Sequence, residues 1–329
     1  MLLTRQSGYA GDQKPIGKPD EMYNPLKVLG HWPTWCLLAG LMICAPSNAQ
    51  ELGNVVRSDR GLKSGTQLPP GYFFTIPLYY VEDYTSVRGP NGNAIPGKIT
   101  GDVKLLIPVA SVTTKWKLLG AYYGFKVAFP FSTQAVGSTL VPISKDNSYG
   151  FGDIYIQPIN LGWHLKRIDY LVAYGFYAPT GSGIRSLDQW THTPMFGVTY
   201  YFDSAKKWTI AANATGEIHQ VKTNTDILVG NFLTVKGGFG YSFLKGAASA
   251  GIDYVGQWKT THDGGTNLPA ILPNTLNKAY GVGPELNFPI FVKGKVASFI
   301  GARYVWEFHN SSNFQGNNLA LTLTVAKFD

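Results

Sequence analysis

Catalysis by this chain would have to come from its few histidines, acids and hydroxyls. Beyond residue 50 the histidines are His164, His192, His219, His262 and His309. No two stand at i and i+4 on one element, the spacing at which a helix presents a metal-binding pair. The chain has no phosphate-cradling G-x-x-x-x-G-K-[ST], no G-x-S-x-G elbow and no C-x-x-C. The sequence therefore assigns no catalytic residue, no metal ligand and no cofactor. One alternative remains, an enzyme with His219 and the pair His262-Asp263 gathered at a rim. Thr261-His262-Asp263-Gly264-Gly265 reads more simply as a Gly-rich turn.

A second set of polar residues is larger and falls on alternate positions of extended segments. It comprises Lys126, Asp153, Gln157, Glu217, Lys236, Asp253, Gln257, Lys259, Glu285, Asn287, Arg303 and Glu307. Rings of charge on a wetted wall select ions, with carboxylates favouring cations. The same residues paired with one another would instead plug and stiffen a narrow barrel. Both readings stay open at this stage.

The elements carrying these residues alternate with period two, which puts successive side chains on opposite faces of a strand. In 207–219 one face is Trp208, Ile210, Ala212, Ala214 and Ile218, and the other Thr209, Asn213, Thr215, Glu217 and His219. The pattern predicts about twelve strands, near 71–84, 99–112, 116–131, 149–164, 168–179, 190–202, 207–219, 230–243, 248–260, 278–291, 296–309 and 315–328. Many exceed the usual five or six residues and match tilted strands crossing a bilayer. Connections alternate long and short. The short ones are expected at Thr113-Thr114-Lys115, Leu165-Lys166-Arg167, Asp203–Lys206, Leu244-Lys245-Gly246 and Val292–Lys295. Loops sorted this way are a property of outer-membrane barrels. Aromatics near strand ends on the apolar face, namely Trp116, Trp208, Tyr241, Phe243, Trp258, Trp306 and Phe308, are candidates for interfacial girdles.

Composition agrees. Of 329 residues, 44% are hydrophobic and only 15% charged, with 38 Gly and 14% aromatics. Gly disfavours helix and aromatics favour strands. The net charge of +8 is scattered rather than clustered, which argues against a nucleic-acid partner. Residues 35–45 form an apolar run of about 16 Å as a helix, too short for a bilayer core of roughly 30 Å. With Lys27 before it and Ser47-Asn48-Ala49 after, it reads as a signal peptide cleaved between Ala49 and Gln50. Met22 opens an ordinary leader, so 1–21 reads as an N-terminal extension. Both cysteines, Cys36 and Cys44, lie in the leader, leaving no disulfide framework. Residues 50–70, polar with Pro69-Pro70, read as a periplasmic lead-in, and 71–329 as the barrel.

Several runs carry a family resemblance. They are Lys117-Leu-Leu-Gly120-Ala, Gly150-Phe-Gly-Asp-Ile-Tyr-Ile-Gln-Pro158, Leu161-Gly-Trp163, Tyr177-Ala-Pro179-Thr-Gly181, Tyr200-Tyr-Phe-Asp203, Tyr254-Val-Gly-Gln257 and Gly281-Val-Gly-Pro284-Glu285. In order and spacing, over about 70–329, the chain resembles the MetA-pathway of phenol degradation family of outer-membrane transport proteins. The resemblance implies an antiparallel up-and-down transmembrane barrel in the bacterial outer membrane and a transport role, often linked with aromatic compounds. The chain departs from the usual pattern at its end, where Phe328 is followed by Asp329. The expected function is a channel for small, aromatic or hydrophobic solutes, with a plugged structural barrel as the alternative. The expected partners are outer-membrane lipids, a small-molecule solute and the barrel assembly machinery.

Overall fold

The structure is a computed structural model and describes residues 53–96, 99–138, 146–266 and 275–328. They belong to one compact unit, Ser47–Asp329. The signal-peptide and cleavage residues, Ala49 and Gln50 included, lie outside the described residues.

The sheet runs β1 (Gly71–Arg88), β2 (Ile99–Leu106), β3 (Val109–Leu118), β4 (Ala121–Ala128), β5 (Phe131–Ser138), β6 (Asp146–Phe151), β7 (Ile154–His164), β8 (Ile168–Ala178), β9 (Thr191–Tyr201), β10 (Trp208–His219), β11 (Phe232–Phe243), β12 (Ala248–Lys259), β13 (Lys278–Val292), β14 (Lys295–Ser311) and β15 (Asn313–Phe328). Three pairs of these segments are single wall strands broken in the middle. β1 pairs with β3 through Gly71–Thr75 and with β2 through Val81–Tyr84. The breaks fall at Ile107-Pro108, Phe129-Pro130 and Gly152-Asp153. At the first two, a proline has no N–H to give to a ladder, so the strand interrupts there. Phe129 N–H still donates to Pro108 O and Gly152 N–H to Pro130 O, holding the breaks side by side. The fifteen segments thus make twelve wall strands, and β15 pairs with β1 from Gly71↔Phe328 to Arg88↔Asn313, closing the antiparallel barrel.

The wall is inside out relative to a soluble protein. Ile210, Ile252, Leu286, Phe288, Ile290 and Trp306 are exposed, while Thr209, Asn213, Thr215, Glu217, Lys236 and Gln257 are buried. An apolar exterior around a polar interior is the pattern of a barrel whose solvent is lipid.

Two turn expectations are corrected. Thr113-Thr114-Lys115 is not a turn; it lies inside β3, where the register with β4 slips between Thr113 and Lys117. The turn is Leu119-Gly120, with φ of 52° and 81°, and Lys293-Gly294 repeats it at 50° and 77°. Positive φ at both central residues gives the hairpin twist that suits flanking strands. The alternation of long and short loops also fails once: β14 and β15 join through Ser312 alone, at the long-loop end.

Candidate functional site

Residues 53–70 do not form a periplasmic lead-in. They thread the barrel interior, because the wall's inward carboxylates and small residues offer this segment partners that water would otherwise supply. Near the long-loop end, the N–H groups of Asn54 and Val55 donate to Glu217 Oε2 at 2.6 and 3.3 Å. Arg57 Nη1 meets Glu307 Oε1 at 2.7 Å. Ser58 O accepts from Arg303 Nη1 at 2.5 Å, and its hydroxyl bonds the Tyr80 hydroxyl. Asp59 pairs with Lys236. Leu62 N–H donates to Glu285 Oε2 at 2.8 Å. Towards the tight-turn end, Thr66 Oγ1 donates to Asp169 Oδ2 at 3.1 Å and Gln67 Nε2 to Asn160 O at 2.8 Å.

Glycines make room for this passage. A Cβ on Gly238, Gly240 or Gly251 would stand 2.7–2.9 Å from a Leu62 methyl, and one on Gly65 would meet the Val198 backbone at 2.2 Å. Closer than about 3 Å, something must move. The wall is hollowed under Leu62, and the segment is hollowed against Val198.

The polar residues chosen from the sequence fall into distinct groups. Glu217, Lys236, Asp253, Gln257, Lys259, Glu285 and Glu307 are buried on the inner face, with Lys126, Asn287 and Arg303 half-buried. Arg303 bridges Asp253 and Glu285, each at 2.9 Å, and Asn287 Nδ2 donates to Glu285 Oε1 at 2.7 Å. Glu307 accepts from Asn310, Gly316 N–H and Asn318 besides Arg57. Gln257 Nε2 donates to Thr234 Oγ1. Gln157 is fully buried beside Tyr155, whose hydroxyl donates to its Oε1.

Asp153 is buried at the break between β6 and β7, outside the paired segments of that wall strand. Its carboxylate accepts from Gly181 N–H, Leu187 N–H and the Ser186 hydroxyl, and so ties down the 180–189 loop. Asp263 is engaged by Lys259 Nζ at 2.5 Å and by Gly230 N–H at 2.6 Å. His219 is buried, with Nδ1 3.0 Å from Gly230 O and Nε2 3.7 Å from Glu217.

Of the girdle candidates, Trp116, Trp208, Trp306 and Phe308 are exposed, and Tyr241, Phe243 and Trp258 are half-buried. They fall at the two ends of the wall. Trp116, Trp208, Tyr241 and Phe243 lie near the tight turns; Trp258, Trp306 and Phe308 lie near the long loops. Trp208 packs on Tyr241 at 4.8 Å and Trp258 on Tyr280 at 5.8 Å between ring centroids.

Sequence reasoning missed Arg57, Asp59 and Arg60, and the inward tyrosines Tyr80, Tyr84, Tyr155 and Tyr201. The signal for the first three was present: Arg57-Ser-Asp-Arg60-Gly61 is more charged than a tether requires.

A closed, inside-out twelve-stranded wall with a threaded lumen defines an outer-membrane β-barrel, and that is where the chain resides. The chain belongs to the MetA-pathway of phenol degradation family, whose model matches residues 86–323. Among solved structures it is similar to an outer membrane channel from Pseudomonas putida F1, at 12% identity and a TM-score of 0.66, covering 82% of this chain and 100% of that one. It is distantly similar to OccAB4 of Acinetobacter baumannii, at 8% identity and a TM-score of 0.33, covering 79% and 98%. OmpT, an outer membrane protein of Vibrio cholerae, gives 9% and 0.32, covering 80% and 100%. The first of these likenesses bears on fold alone. No curated protein matches the chain in sequence.

Proposed function

We propose that this barrel is an outer-membrane channel passing small aromatic or hydrophobic solutes by diffusion along the lumen, beside residues 53–70, which set its bore. The observation that carries the reading is Asp59. It lies on the threading segment, amid buried neighbours, yet its side chain is 43% exposed. Unfilled space beside the segment at Asp59 supports the reading. Membership of a family described by a phenol degradation pathway supports the choice of solute, and no catalytic group is assigned.

Purified protein in planar bilayers tests the reading: discrete conductance steps are expected, with larger steps after the segment is loosened. Absence of conductance and of solute-driven liposome swelling in both forms would establish the plugged structural barrel instead.

A further inference from the structure

The sequence leaves two readings of the inner-wall charges: carboxylates free to favour cations, or charges paired with one another. The structure shows those carboxylates already engaged. Glu217 and Glu285 hold backbone N–H groups of the threading segment, Asp253 and Glu285 share Arg303, Glu307 holds Arg57, and Asp169 is bonded by Lys206 Nζ at 3.1 Å and Tyr201. The mid-lumen is different. There a single carboxylate, Asp59, is shared among cations. Lys236 pairs with it directly and Arg60 Nε stands 3.9 Å from it. Among the described residues no carboxylate lies within ion-pair distance of Lys126. Its ammonium instead sits over the Tyr155 ring, 5.8 Å from the centroid. Tyr155 in turn packs on Tyr177 at 4.7 Å. The register places these together: Lys126 is opposite Gln157 on β7, and Tyr155 is opposite Tyr177 on β8.

Lys126 and a pair of phenol rings tilted at 44° to each other thus share one stretch of the inner wall. Among the described residues, Lys126 therefore presents an ammonium with no acid partner beside an aromatic surface. We propose that Lys126 and the Tyr155–Tyr177 pair form the channel's recognition site, and that it takes a small aromatic carboxylate. The carboxylate pairs with the Lys126 ammonium while its ring lies along the tyrosines, since aromatic pairs favour offset or edge-on contact at such distances. This inference rests on the channel reading and narrows its solute class.

Calorimetric titration of the detergent-folded full chain with benzoate, and with its neutral isostere benzamide, tests the site apart from transport. Benzoate is expected to bind and benzamide to bind at least about tenfold more weakly, the factor that 1.4 kcal/mol gives. Lys126→Gln should weaken benzoate by a similar factor and leave benzamide unchanged. Lys126→Arg should retain benzoate, and Tyr177→Leu should weaken both ligands. Heat-modifiable gel mobility checks that each variant is folded. If Lys126→Gln does not fold, the benzoate–benzamide comparison in the parent chain and in Lys126→Arg decides. Equal affinity for the two ligands, no binding of either, or an unchanged benzoate affinity in folded Lys126→Gln overturns the proposal. Bilayer conductance on the same preparations reports separately on the channel reading, so binding without conductance would overturn that reading and leave the site.

Discussion

Arg57 of the threading segment and Glu307 of β14 form an ion pair at 2.7 Å, their side chains only 6% and 1% exposed. Removing one member of a buried pair leaves the other charge uncompensated, typically at about 3–5 kcal/mol. Glu307→Ala should therefore release the upper part of the segment more than it weakens the wall. Larger conductance and faster proteolysis within residues 53–60 are expected, with gel mobility of the folded barrel retained. Arg57→Ala combined with Glu307→Ala should destabilise less than the sum of the two single changes.

Ile252 is 57% exposed on the outer wall of β12. An arginine facing mid-membrane lipid costs about 2–4 kcal/mol. Ile252→Arg should slow folding into liposomes and lower the fraction of heat-modifiable barrel, whereas Ile252→Leu should match the parent. Equal folding of the two variants would reverse the facing assigned to β12.

Gly65 faces the Val198 backbone so closely that a methyl group has no room. Overpacking of this kind costs about 1–3 kcal/mol. Here the segment can lift away from β9 instead of straining the wall. Gly65→Ala is expected to increase protease access to residues 61–68 and to change conductance without altering thermal unfolding of the barrel.

Asp203, in the tight turn between β9 and β10, has its carboxyl held below the ordinary value. The main cause is the donated N–H of Trp208, with the N–H groups of Lys207 and Ala205 adding to it. Trp208 N–H reaches Oδ2 at 2.8 Å. A lowered value means that the turn's order is present at neutral pH and is lost as pH falls through that lowered value. Chemical shifts of the Trp208 and Lys207 amides should hold steady until well into the acid range and then move together. Asp203→Ala should remove that transition.

Twelve strands, their facing and most of their ends were legible because lipid outside and polar groups inside impose a strict alternation, as in Trp208 to His219. The turn at Leu119-Gly120 was misplaced for a physical reason. Thr113-Thr114-Lys115 is polar like a turn, but it occupies a slip in register within the wall, where polarity reports facing rather than chain reversal. The candidate wall residues were legible by parity, except Asp153, whose alternation runs into a break that parity does not register. The threading segment was not legible. Residues 53–70 have no periodicity, and what holds them, such as Asn54 N–H on Glu217 or Leu62 N–H on Glu285, is backbone meeting a distant side chain. Glu217, legible only as a selectivity group or a paired structural one, is occupied in binding its own chain.

The seam between β1 and β15 joins the first strand of the wall to the last, across almost the whole length of the described chain. Pairings this distant in sequence form late, because the loop they close is long. The threading segment immediately precedes β1, so it hangs from one lip of the last gap to close. The segment must therefore lie within the curling sheet before the two lips zip together, or be drawn in by β1 as they do. The order of assembly is thereby written into the topology: a pipe closed around its own lining.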